Sequence, residues 1–90
     1  MNATEAREIA VKNADKVANR QLGEAIQRMN QEIRENVDLG FFDARIEIKP
    51  SEQWQKYNCT NRFRKHFREK GFGVEFDEFG TNLILICTWY

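Results

Sequence analysis

From Ala3 to Leu39 the chain contains no proline and a single glycine, Gly23, and it is dense in Ala, Glu, Gln, Arg and Lys. These are strong helix formers, so more than a third of the molecule is committed to helix before any tertiary contact is considered. Thr4 is the expected N-cap, with Glu5 and Glu8 in the first turn, where negative charge suits the helix dipole. Gly40 is the natural residue to leave the helix after Asp38-Leu39. The apolar positions of this stretch, however, fall on two faces. Ala6, Ile9, Ala10 and Val17 form one stripe, and Leu22, Ala25, Ile26, Met29, Ile33 and Val37 form another turned well away from it.

Two arrangements accommodate that change of phase. In one, the chain breaks between Asn13 and Asn19 and a short first helix folds back. In the other, it stays straight through Val11, Ala14, Ala18, Leu22, Ala25 and Met29 and leaves Ile9, Ala10 and Val17 on an outer stripe that meets another subunit. Small, Ala-rich contact residues suit close helix pairing, which points to a helix at about 4–13, a longer one at about 19–39, and a homo-oligomer. Docking within one chain is the alternative. Residues 1–18 are in either case the oligomerisation or docking element of a single domain spanning 1–90.

After Gly40 the period changes from helix to strand. Phe42, Ala44, Ile46 and Ile48 alternate with Asp43, Arg45, Glu47 and Lys49, the signature of a half-buried strand with Phe42 among its inward residues. Pro50 ends it, and Ser51 caps a helix reaching to about Lys70 before Gly71 stops it. Phe72 to Asp77 and Asn82 to Tyr90 read as a hairpin around Glu78-Phe79-Gly80-Thr81. The run Leu83-Ile84-Leu85-Ile86-Cys87 is apolar on both faces, which belongs to a central strand. The expected architecture is therefore α+β: N-terminal helices on a three-stranded antiparallel sheet, ααβαββ in sequence, with strand order 1-3-2.

With 90 residues, 41% of them hydrophobic, the chain buries roughly 63% of its unfolded surface, enough for one modest core. Fourteen basic side chains against 14 acidic ones exclude a protein held to DNA or membrane by bulk charge alone. No apolar run has the length of a membrane span, and residues 1–10 carry no apolar leader pattern, so a cytoplasmic, membrane-free protein is expected. Two cysteines, Cys59 and Cys87, and one histidine, His66, make neither a disulfide scaffold nor a zinc site; no metal and no cofactor are expected. His66 lies seven residues after Cys59 on one helical face, yet that face is expected to be buried, which argues against catalysis, and no glycine-rich phosphate loop is present.

Charge is uneven along the chain. Residues 51–71 hold Lys56, Arg62, Arg64, Lys65, Arg68 and Lys70 against Glu52 and Glu69, and the hairpin that follows holds Glu75, Asp77 and Glu78. If the helix over 52–70 is unbroken, Trp54 and Tyr57 join Arg62, Arg64, Lys65 and Arg68 in an aromatic and cationic stripe able to stack bases or hold phosphates. If instead it restarts within the cap-forming residues Asn58 to Asn61, Trp54 and Tyr57 turn inward as core and the stripe is an ordinary solvated face. Phe41, Phe79 and Tyr90, at strand ends or a turn, exceed what one small core hides beside Phe42, Phe63, Phe67, Phe72, Phe76 and Trp89.

The run Ala3-Thr4-Glu5-Ala6-Arg7-Glu8-Ile9-Ala10 before a long helix, the string Lys70-Gly71-Phe72 at a helix end and the closing Thr88-Trp89 resemble small uncharacterised α+β proteins of tailed bacteriophages. The resemblance covers most of the chain and transfers no site residues. What it implies is a phage context, in which such proteins bind and block a host component. The expected function is that of a non-enzymatic, oligomeric binding protein that blocks a host protein or sequesters a small host ligand in the host cytoplasm. The alternative is a nucleic-acid-binding module built on residues 52–70.

Overall fold

The computed structural model describes residues 1–89, so the expected exposure of Tyr90 lies outside the described residues. The elements are α1 (Ala3–Asp38), β1 (Asp43–Ile48), α2 (Glu52–Lys56), α3 (Cys59–Arg68), β2 (Gly73–Phe79) and β3 (Asn82–Thr88). The α+β class, the antiparallel sheet and the order β1-β3-β2 are as expected. Among the described residues there are three helices, the number expected, but they are divided differently along the chain.

α1 is one helix of 36 residues with no break between Asn13 and Asn19. That segment holds neither proline nor glycine, so the short helix expected at 4–13 has no residue to end it. The straight alternative holds: Ala18, Leu22, Ala25 and Met29 are buried on one side, and Val11 and Ala14 continue that side beyond the sheet. The N-cap is Asn2 rather than Thr4, its side chain accepting from the Glu5 N–H at 2.9 Å. At the other end Gly40, at φ +79, closes a Schellman turn: its N–H donates to Val37 and that of Phe41 donates to Asn36.

The break falls later. Asn58 adopts the left-handed conformation, φ 57 and ψ 40, and separates α2 from α3. Asparagine tolerates that region better than other non-glycine residues, which is why the stop occurs here without a glycine. Ser51 caps α2, its hydroxyl accepting from the Trp54 N–H at 3.1 Å.

Burial alternates through β1 and β3 and through the first half of β2, whose last three residues are all exposed. Ala44, Ile46 and Ile48 of β1, Leu83, Leu85 and Cys87 of β3, and Val74 of β2 face the helices, α1 lying over β1 and α3 over β2. Trp54, Phe63, Phe67, Met29 and Leu85 are the largest fully buried side chains of the single core. Among the described residues no helix covers the other side of the sheet; there Ile84 and Ile86 of β3 are half-buried between Arg45 and Glu47 on one strand and Glu75 and Asp77 on the other. Gly80, at φ +63, takes the first position of the two-residue Gly80-Thr81 loop joining β2 to β3, as a type II′ turn requires.

Candidate interaction surfaces

α1 is about 54 Å long, against a greatest molecular extent of 57 Å. Only its later part is tied to the body. Gln21 accepts from the Ser51 hydroxyl at 2.7 Å and donates to the Lys49 carbonyl at 3.0 Å, Asn36 donates to the Asp43 carbonyl at 2.8 Å, and Arg62 of α3 donates to Asn19 at 2.8 Å. Before these anchors the helix leaves the body: every residue from Met1 to Asn13 is exposed, and Ala14 and Val17 are half-buried. Residues 3–17 thus form an arm of about 22 Å. Of the expected interface residues, Ile9 and Ala10 stand in solvent, Ile9 at 47% exposure, and Val17 sits at the arm's base.

A second apolar surface lies at the far end of α1. Val37, Leu39, Phe41 and Phe42 are all more than half exposed around the Schellman turn. Phe42 therefore departs from the inward position expected for it. The strand begins one residue later, at Asp43, and although the Phe42 carbonyl still accepts from the Trp89 N–H at 3.1 Å, its side chain stays outside the buried core. Phe79 stands 71% exposed beside the Gly80 turn. The surplus of aromatics read from the sequence is thus visible at Phe41 and Phe79, with Phe42 added.

The basic aromatic stripe is not assembled. Because the helix restarts at Cys59, Trp54 is turned into the core with no exposed surface, and its indole N–H donates to the Thr60 hydroxyl at 2.8 Å; Tyr57 is half-buried against the same core. Two of the four cations are occupied within the fold: Arg62 reaches Asn19, and Arg64 lies over the Phe76 ring at 4.7 Å. Arg64 Nε is buried there and has no hydrogen-bond partner among the described residues. Lys65 and Arg68 remain exposed and, with Asn61, Arg64 and Glu69, border an open groove of about 580 Å³.

The chemistry of the cysteines follows from burial. Cys59 Sγ lies 3.8 Å from the Ala18 carbonyl and 3.9 Å from Arg62 Nη1. Burial raises its pKa, and the Arg62 charge and hydrogen bond offset only part of the rise. Burial pushes the Cys87 thiol up to about 12. Both therefore stay protonated at neutral pH, which is the unreactive form. His66 packs its ring edge-on against Phe67 at 5.0 Å, whereas the contacts of Cys59 are Ala18 and Arg62.

One concavity had no sequence signal. Pro50, Trp54, Gln55 and Thr60 on one side and Glu78 with Gly80, Thr81, Asn82 and Leu83 on the other border a cleft of about 540 Å³ between α2 and the hairpin. Among the described residues Glu78 is the one ionisable residue on its lining, so they offer no acid–base pair there. Nothing short of the tertiary docking of the hairpin beside α2 would have revealed it. Among the described residues there is no cluster of three or more His, Cys, Asp or Glu able to hold a metal, and no helix is long and apolar enough to cross a membrane. No protein-family model, curated protein or solved structure matches the chain.

Proposed function

We propose that this chain is a non-enzymatic binding protein that works as a self-associated unit, with the α1 arm as its association element. The observation that carries this reading is the arm itself: residues 3–17 present Ala6, Ile9, Ala10 and Val17 on a helix that covers nothing in its own chain before Ala14. An isolated helix of this length is marginal in water, and its apolar side is stabilised only by a surface to pack on. The phage-type role, blocking a host protein or sequestering a small host ligand, rests on the sequence resemblance; the exposed Val37, Leu39, Phe41 and Phe42 supply an apolar surface suited to such a partner.

Sedimentation velocity tests the reading. The unmodified chain is expected to sediment as a dimer or larger species at high concentration, and Ile9→Asp to shift it to monomer, because a charge is forced into an apolar contact. Val17→Asp should do the same. A monomer at every concentration would overturn the proposal, and circular dichroism on each variant separates lost association from lost folding.

A second reading is favoured by one observation, the exposure of Lys65 and Arg68 beside the α3 groove. Under it, a labelled single-stranded oligonucleotide binds at low salt, binding falls steeply as salt rises, and Lys65→Glu with Arg68→Glu abolishes it. With Trp54 buried and Arg62 and Arg64 engaged, anisotropy is expected to register no binding.

A further inference from the structure

The two edges of the sheet are not protected alike. Where β1 begins, the Trp89 N–H donates to the Phe42 carbonyl at 3.1 Å, so the even-numbered residues of that strand turn their backbone groups toward β3 and Asp43, Arg45, Glu47 and Lys49 turn theirs outward. Side chains of α1 tie down both ends of this edge: Asn36 donates to the outward carbonyl of Asp43 and Gln21 to that of Lys49. β2 is the opposite edge. Phe79 and Asn82 close the two-residue turn and form its hydrogen-bonded pair, which turns the backbone groups of Val74, Phe76 and Glu78 outward. Among the described residues no hydrogen bond reaches those outward groups. β2 pairs with β3 without a bulge and contains neither proline nor lysine, so three common guards of a free edge are missing.

What the edge does carry is negative charge. On the sheet face away from the helices, β2 presents Glu75, Asp77 and then Phe79, which is 71% exposed. Pairing β2 with its own copy sets acid against acid in each antiparallel register that keeps most of the strand paired: Glu75 on Asp77, Glu75 on Glu75, or Asp77 on Asp77. A basic strand reverses the sign of those contacts. We infer that the free edge of β2 takes up an extended segment of a partner protein as a fourth, antiparallel strand, with Lys or Arg opposite Glu75 and Asp77 and an apolar residue opposite Phe79. Main-chain bonds to Val74, Phe76 and Glu78 hold the segment, and its alternate side chains supply the selectivity. α3 is the helix that lies over β2, whereas α1 packs on β1, so this site is separate from the α1 arm and does not depend on self-association.

A labelled peptide reading Phe-Thr-Lys-Val-Lys-Val-Thr offers this pattern along β2 from Phe79 back to Gly73. Fluorescence anisotropy reads its binding to the unmodified chain, and amide hydrogen exchange locates it. The peptide is expected to bind and to slow exchange at Val74, Phe76 and Glu78. Glutamate in place of both lysines should weaken binding by about tenfold or more. N-methylation of the two valines, whose N–H groups point at β2, should abolish binding, and N-methylation of the two lysines, whose N–H groups point away, should leave it intact. The inference fails if millimolar peptide does not bind, if the glutamate peptide binds equally well, or if valine methylation has no effect. It fails too if the peptide protects Arg45 and Glu47 of β1 instead. Slower exchange at Val74 and Phe76 on raising protein concentration alone would place a second copy on the edge and would equally overturn it.

Discussion

Trp54→Ala is expected to cost about 3–5 kcal/mol, the range for deleting a buried aromatic from a core. Trp54 has no exposed surface, is the largest of the fully buried side chains, and its indole N–H holds the Thr60 hydroxyl across the α2–α3 break. Removing it opens a cavity in the core and leaves Thr60 without that partner. A domain of this size holds about 5–13 kcal/mol in total, so the variant loses much of its stability and a large part of its population unfolds near body temperature. Trp54→Phe keeps most of the packing and isolates the hydrogen bond, for a loss of about 1 kcal/mol. Urea denaturation reads both. A loss below about 1 kcal/mol for the alanine variant would mean that the indole is not part of the core.

Alkaline pH is expected to unfold the chain through Cys87. Its thiol titrates near 9.0 when exposed and is pushed up to about 12 by burial in the fold. The folded chain thus keeps the proton while the unfolded chain releases it. The contribution is full below pH 9.0 and is lost as pH rises toward about 12, at a slope approaching about 1.4 kcal/mol per pH unit. Cys59, also raised by burial, acts in the same direction. Cys87→Ala should flatten the loss of stability between about pH 8 and about pH 11 relative to the unmodified chain. An unchanged slope would show that this thiol does not ionise on unfolding.

The sheet was legible because its signals are local and redundant. Strict alternation from Asp43 to Ile48 identifies a strand with one wet face, and the two-faced apolar run from Leu83 to Cys87 has no place except between two neighbours, which by itself gives the order β1-β3-β2. The α1 phase change was legible as a problem but not as a solution. Apolar stripes report that two surfaces must be covered, not whether the second is covered by the same chain, and only the absence of a stop residue between Asn13 and Asn19 decides for a straight helix.

The site residues divided along the same line. Whether Trp54 and Tyr57 joined the basic stripe depended on one backbone conformation, that of Asn58, which propensity alone does not fix. Once Asn58 turns left-handed, the cations split: Arg62 and Arg64 become structural through Asn19 and Phe76, and Lys65 and Arg68 stay in water. Alternation predicts an inward Phe42, but that residue precedes β1 at the end of the sheet, where its backbone still bonds to Trp89 and its side chain lies outside the core. The cleft beside Glu78 depends on contacts between segments far apart in sequence and left no trace in either.

Amide hydrogen exchange across α1, followed from dilute to concentrated solution, tests most directly whether the arm is covered by another molecule. Amides of residues 18–38 should be protected throughout, because this half of α1 is packed on β1 and α2. Those of residues 7–17 should exchange quickly when dilute and slow progressively as concentration rises. Rapid exchange over 7–17 at every concentration, with the body still protected, would contradict an arm built for a second copy.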